Sequence, residues 1–194
     1  MRYFIGGING VGKSHFITNL KDVRPEYATI DGSREFMKWL GFGNDYEKLR
    51  NLMPDIRDAR MADFINKTVN ENQAETLIYV GHFIVLVRGQ IIHVVRDWLS
   101  RFDGVVLMKA KPAIIIQRIS KDDRDRALFP EGTTDQEALK ILKDYSLKEN
   151  VAFLDLADRY GIPSLILDNS EGITPNTVYD FLQFDAKIRR SYLG

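Results

Sequence analysis

Cysteine is absent from all 194 residues. That excludes disulfides, thiolate zinc sites and cysteine nucleophiles, and it fits a reducing compartment. A surplus of charge is missing too: Lys and Arg number 27, Asp and Glu 27, so the formal net charge is zero. A balanced chain has no overall attraction for polyanions. Nucleic acid is therefore not an expected partner, and any case for an anionic ligand must rest on local arginines. Long apolar runs are lacking as well. The longest apolar-rich stretch, Phe83 to Ile92, is broken by Arg88 and Gln90 and falls far short of the roughly 20 residues of a membrane helix. The first strand-like run begins right after Met1 and leaves no room for a signal peptide, so a cytoplasmic protein without membrane contact is expected. Internal repeats, low-complexity tracts and linkers are also absent, which points to one domain over 1–194.

What the sequence does have is alternation between short apolar runs and helical patterns. Tyr3, Phe4 and Ile5 form a strand-like run ending at a Gly pair, and Lys13–Leu20 carries Phe16, Ile17 and Leu20 on one helical face. Tyr27–Ile30 reads as a second strand and Ser33–Leu40 as a second helix. After a break at Gly41–Asn44, Asp45–Asn51 is a short helical stretch. Pro54 suits the first turn of a helix reaching about Asn70, with Ala59, Ala62, Ile65 and Val69 inward. Thr76–Val80 is a third strand. Ile91, Val94, Val95, Trp98 and Phe102 recur at helical spacing and predict a helix over Ile91–Phe102. Val105–Lys109 is a fourth strand and Ala113–Ile119 opens a helix leading into the charged run Lys121–Arg126. Asp135 to about Tyr160 reads as one long or broken helix, Ser164–Leu167 as a fifth strand, and Thr174–Pro175 as the cap and first residue of a last helix. Five apolar strands alternating with helices predict an α/β domain, a parallel sheet covered on both faces. The segments Asp31–Asp55 and Lys121–Thr134 show the least apolar periodicity and are expected to be mobile over that core.

One motif carries chemistry directly. Gly7-Ile8-Asn9-Gly10-Val11-Gly12-Lys13-Ser14 fits G-x-x-x-x-G-K-[ST], directly after the first strand and opening the first helix. Such a loop turns backbone N–H groups inward around a phosphate, and the helix N-terminus adds partial positive charge. Lys13 is expected on the β- and γ-phosphates and the Ser14 hydroxyl on Mg²⁺. The ATP-binding stretch is then Gly7, Asn9, Gly10, Val11, Gly12, Lys13, Ser14 and His15. The fold expected around it is a three-layer P-loop NTPase core with a five-stranded parallel sheet, a small lid and an acceptor-binding helical insertion. A P-loop alone names no reaction. The chain lacks a GTPase-type N/T-K-x-D tetrapeptide and is too short for a typical AAA+ module or a motor, which leaves the small kinases.

Phosphoryl transfer between two anionic ligands needs positive charge and alignment, and the planar fork of Arg suits phosphate. Arg118, Arg124 and Arg126 lie in Ile116-Gln117-Arg118-Ile119-Ser120-Lys121-Asp122-Asp123-Arg124-Asp125-Arg126. Here the chain resembles the archaeal-type adenylate kinases of the nucleoside-monophosphate kinase superfamily, whose lid has three arginines at this spacing. The resemblance implies that Arg118 stacks near the ATP base while Arg124 and Arg126 close on the transferring phosphates, with a lid over 118–137. It also implies an acceptor-binding helical region over 31–75. There Gly32-Ser33 looks like the family's Gly-Thr. The stretch Asp45 to Leu52 before Pro54 is similar to an acidic stretch whose Arg binds the monophosphate, which points to Arg50. His82 falls where the family has a His after strand three, and Arg88-Gly89 where it has Lys-Gly. The sequence departs from the pattern at Val80, where the family carries an Mg²⁺-anchoring carboxylate, and at Lys148, which stands in for a further lid-helix Arg.

Several of these residues have two readings. Lys121–Arg126 also has the composition of a solvated surface loop, and Arg50 could be paired with Glu47 or Asp55 on a helix. Asp31 is either a helix N-cap, a carboxylate for Mg²⁺, or a general base facing an acceptor hydroxyl. His82 and Arg88 are either substrate contacts or satisfied structural residues. Asn169, after the fifth strand, either meets the adenine edge through its backbone or belongs to a capping turn. The leading expectation is ATP- and Mg²⁺-dependent transfer to a nucleoside monophosphate. A second reading has a hydroxyl acceptor with Asp31 as base, which a loop like that of zeta-toxin-type kinases keeps open. A third is a nucleotide-dependent switch with little transfer.

Overall fold

The computed structural model describes residues 1–94, 97–121 and 128–192. Among these the chain runs β1 (Arg2–Gly6), α1 (Lys13–Val23), β2 (Ala28–Asp31), α2 (Gly32–Trp39), α3 (Tyr46–Arg50), α4 (Pro54–Glu71), β3 (Leu77–Val80), β4 (Ile84–Val87), β5 (Gln90–His93), a 3-10 turn (Asp97–Arg101), β6 (Gly104–Lys109), α5 (Pro112–Ile119), α6 (Asp135–Tyr160), β7 (Ser164–Asp168) and α7 (Pro175–Ser191). Five strands form one sheet in the order β2-β3-β1-β6-β7, every pairing parallel. This is the expected three-layer α/β P-loop fold with its five-stranded sheet.

The layers follow from side-chain alternation along the central strands. Tyr3 and Ile5 of β1, Ile78 of β3, and Val106 and Met108 of β6 point to one face, where Phe16, Leu20, Val178 and Phe181 of α1 and α7 cover them. Phe4, Leu77, Tyr79, Val105 and Leu107 point to the other, against Phe36, Phe64, Ile65 and Phe153 of α2, α4 and α6. A polar clasp ties the first layer. Asp185 of α7 is 5 % exposed and accepts from Tyr3 Oη at 2.6 Å, Tyr27 Oη at 2.9 Å and Arg189 Nε at 3.0 Å. With burial, this acceptor pushes the Tyr27 phenol up to about 12. Capping boxes at Thr134 and Thr174 start α6 and α7, and Gly161 in the left-handed region ends α6. The expectation for Thr174–Pro175 is met.

The helix expected over Ile91–Phe102 is not what forms. Ile84–Val87 and Gln90–His93 make an antiparallel hairpin, and only Asp97–Arg101 coils, as a 3-10 turn. Arg88 and Gly89 sit at φ 47 and 79, the two left-handed residues of a tight hairpin turn. The β-branched residues Ile84, Val85, Val87, Ile91 and Ile92 favour the extended chain, and that preference wins over a spacing compatible with either period. The region expected to bind an acceptor holds α2, α3 and α4. Among the described residues no helix is long and apolar enough to cross a membrane.

Candidate active site

A cavity of about 610 Å³ opens at the carboxyl end of the sheet and joins two halves, the position where parallel α/β sheets bind ligands. One half is the P-loop: Asn9, Gly10, Gly12, Lys13, Ser14 and His15 line it together with Arg118. The other half holds Asp31, Ser33, Arg50, Arg57 and His82. Of the expected site residues, most of those in the described regions therefore meet in one space, from five separate segments of the chain. Arg124 and Arg126 lie outside the described residues.

The P-loop turns between β1 and α1 because its glycines accept conformations that other residues resist. Gly12 is the N-cap of α1 at φ 97 and ψ 21, and a Cβ there would lie 2.2 Å from Asn169 Nδ2. Lys13 Nζ donates to Gly7 O at 2.5 Å and to Ile8 O at 3.2 Å. Gly7 and Val11, expected among the ATP contacts, are not part of the cavity wall. Val11 is fully buried and serves through its carbonyl, which accepts from Asn169 Nδ2 at 2.5 Å and from Arg118 Nη1 at 3.3 Å.

Arg118 is thereby a strut as well as a wall. Its guanidinium also reaches Gly10 O at 3.4 Å and Asn169 O at 2.8 Å, so the end of α5 is tied to the phosphate loop. Asn169 takes a different place from the one expected. Its amide donates to Lys109 O at 2.7 Å and its carbonyl takes Arg118, so both backbone groups are used inside the protein. It is 2 % exposed and braces Val11 from behind. The neighbouring Asp168 forms a capping turn, accepting from Ser170 Oγ at 2.5 Å and Ser170 N at 2.8 Å, and these bonds hold its carboxyl below the usual range.

At the acceptor half, Asp31 does two things at once. It caps α2 through Arg34 N at 3.2 Å, and its side chain remains 47 % exposed and faces the cavity. Among the described lining residues it is the single carboxylate, against Lys13, Arg50, Arg57 and Arg118. The surplus of cations along the wall, offset in part by the ion pairs of Arg50 with Glu47 and Arg57 with Asp58, favours an anionic ligand. Arg50 is paired with Glu47 on α3, as its alternative reading held, and lines the cavity as well. Arg88 does not. It stands at the hairpin turn, 69 % exposed, 3.6 Å from Glu47, because the two-residue turn carries it outward.

Sequence reasoning missed three contributors. Arg57, on the first turn of α4, lines the cavity with its side chain 15 % exposed, against Asp58 Oδ1 at 3.3 Å. Its signal was a second Arg close after Arg50, on the helix that Pro54 opens. The hairpin supplies an apolar wall, Val85, Leu86, Val87 and Ile92, hidden by the helical reading of that stretch. Glu149 of α6 is 2 % exposed near Lys13, and burial pushes its carboxyl up to about 8. Nothing in the sequence around it marked it.

The residues present fit an ATP phosphate chain and Mg²⁺. The loop packs so closely behind Gly12 that a side chain cannot enter, while Lys13 and Ser14 line the open side. Among the described residues no group of three His, Asp or Glu gathers to hold a metal alone, and Ser14 and Asp31, the residues expected at Mg²⁺, both line the cavity.

No protein-family model matches the chain, and no curated protein matches it. Solved structures do. Shikimate kinase from Bacteroides thetaiotaomicron aligns with a TM-score of 0.63 at 14% identity, over 98% of both chains. Shikimate kinase from Acinetobacter baumannii, in complex with shikimate, aligns at 0.59 and 15% over 98% of this chain and 93% of that one. Deoxyadenosine kinase from M. mycoides, with bound dATP, aligns at 0.54 and 16% over 94% and 98%. At these identities the likeness establishes the fold alone, an α/β P-loop kinase-like architecture matched over 94% to 98% of this chain.

Proposed function

We propose that this chain is an ATP- and Mg²⁺-dependent phosphotransferase that moves the γ-phosphoryl group of ATP to a hydroxyl of a small acceptor bearing an anionic group. The observation that carries the reading is Asp31, the one carboxylate among the described lining residues, in the same cavity as Lys13 and Ser14. Lys13 and the P-loop amides bind the phosphates and offset the charge spread over the transferring oxygens. Mg²⁺ held at Ser14 supplies further charge neutralisation. Asp31 accepts the acceptor's hydroxyl proton as the new O–P bond forms and the bond to the ADP oxygen breaks. Arg50 and Arg57 hold the acceptor's anionic group, with Ser33 and His82 as polar contacts and the hairpin as an apolar wall. The segments 31–75 and 118–137 serve as acceptor-binding region and lid, with Arg124 and Arg126 closing on the phosphates.

The solved structures that share the fold support this direction. Shikimate and deoxyadenosine are both alcohols, and neither carries a phosphate. A second reading, transfer to a nucleoside monophosphate as in adenylate kinases, is favoured by two arginines, Arg50 and Arg57, lining the acceptor half of the cavity. The two part at Asp31→Asn. Asn also caps helices, so the variant folds and binds ATP as the wild type does. A panel of hydroxy acids, nucleosides and nucleoside monophosphates is assayed for ADP release with and without Mg²⁺. Loss of transfer to a hydroxyl acceptor in Asp31→Asn by roughly a hundredfold or more, with Mg·ATP affinity unchanged, supports the base over a metal ligand. Unchanged transfer to a monophosphate establishes the second reading, and no acceptor-dependent ADP with any compound sinks both.

A further inference from the structure

Glu149 lies in the middle of α6, buried to 2 % exposure beneath the P-loop. Burying a carboxylate is costly unless its charge is compensated. Here the compensation is partial. The charges of Lys13 and Lys109 and the backbone amide of Ile8 favour the ionised form, while Oε1 has no hydrogen-bond partner among the described residues. Burial outweighs the compensation and raises the carboxyl to about 8. Ile8 joins the two sides of this cluster: its amide acts on Glu149 and its carbonyl accepts from Lys13 Nζ at 3.2 Å. From β6, Lys109 Nζ donates to Asn150 Oδ1 at 3.2 Å, one residue along α6. From α6 itself, Tyr145 feels the Glu149 charge, with its hydroxyl donating to Ile84 O of the hairpin at 2.7 Å.

We propose that Glu149 is a positioning residue that shares Lys13 with the nucleotide and takes up a proton when phosphates bind in the P-loop. In the structure Lys13 is turned toward the Gly7 and Ile8 carbonyls. To engage a phosphate it leaves that side and takes part of the compensation of Glu149 with it. The phosphates bring negative charge to the other side of the same loop. Both changes disfavour a buried carboxylate and favour the neutral acid. One proton passes from solvent to the Glu149 carboxylate, and no covalent bond changes. The bound state then holds more protons than the free state. Affinity is therefore flat below the free-state value of Glu149 and falls as pH rises through it.

The inference rests on the reading of the loop as a nucleotide site, and the test separates the two. Mg·ADP is titrated into the full chain by calorimetry at pH 8, where the nucleotide's own phosphates are already ionised, in buffers of different ionisation enthalpy. The wild type is expected to take up a fraction of a proton, and its dissociation constant to weaken by about tenfold or more between pH 7.5 and 9.5. Glu149→Gln abolishes the uptake and flattens the profile to within about twofold. Lys109→Met, which removes a charge that favours the ionised carboxyl, moves the uptake to higher pH and serves if Glu149→Gln does not fold. Binding of Mg·ADP without proton uptake, or the same uptake in Glu149→Gln, overturns this role and leaves the nucleotide site intact. Absence of Mg·ADP binding overturns the site itself, and the role with it.

Discussion

Replacing Gly12 with Ala tests how the phosphate loop is built. Two separable penalties meet at this position. A φ of 97 lies in the left-handed region, which costs an L side chain about 1–2 kcal/mol. The new Cβ also lies 2.2 Å from Asn169 Nδ2, so Asn169 must move and release its 2.5 Å bond to the buried Val11 carbonyl. Leaving that acceptor poorly satisfied costs about 1–3 kcal/mol. The single variant should thus lose about 2–5 kcal/mol, a large part of the roughly 5–15 kcal/mol available to a domain. Asn169→Ala by itself should lose about 1–3 kcal/mol for the same bond. With Asn169 already truncated, Gly12→Ala has only the backbone penalty left to add. The double variant should therefore be more stable than the sum of the singles by about 1–3 kcal/mol. Urea unfolding followed by Trp fluorescence measures all four corners of the cycle. Additivity within about 0.5 kcal/mol refutes the packing argument, because Gly12 would then be glycine for its backbone alone.

Lys13→Met should weaken ATP binding by about tenfold to a hundredfold, the worth of a charged hydrogen bond to phosphate; unchanged affinity in calorimetry contradicts the role given to Lys13. Asp185→Ala should destabilise by about 3 kcal/mol, since Arg189, Tyr3 and Tyr27 all lose their shared acceptor, and thermal unfolding of Asp185→Ala beside Asp185→Asn separates lost charge from lost bonding. For Asp168, the folded carboxyl is held low by Ser170. Its contribution to stability is then complete above the unfolded value of about 3.9 and is lost as pH falls through the folded value. Asp168→Asn should therefore be less stable than the wild type at neutral pH and converge with it in acid, so that this acid limb disappears from its stability profile.

Sequence alone determined the features that depend on local pattern. The phosphate loop was legible because its glycines, Lys13 and Ser14 are contiguous and their spacing is set by the phosphate they wrap. The layered sheet was legible because each buried parallel strand is an apolar run that needs no partner to be recognised. The cap at Thr174 is local chemistry as well, and with Pro175 it announced the last helix. Tertiary structure decided what distant segments do together. Helical spacing over Ile91–Phe102 overlaps a strand-compatible run at Gln90–His93, and only the turn at Arg88 and Gly89, which pairs that run with Ile84–Val87, makes it a hairpin strand. Asn169 is chemically capable of meeting a base edge, yet its neighbours Val11, Lys109 and Arg118, far off in the chain, make it a brace. Arg88 and Arg57 are the same residue type in similarly unremarkable surroundings, and a turn carries one outward while a helix start aims the other inward. Glu149 was illegible for the same reason. One acid in a helix of 26 residues becomes a buried group beneath a phosphate loop only when α6 packs against it, because burial and long-range charge are properties of the folded chain.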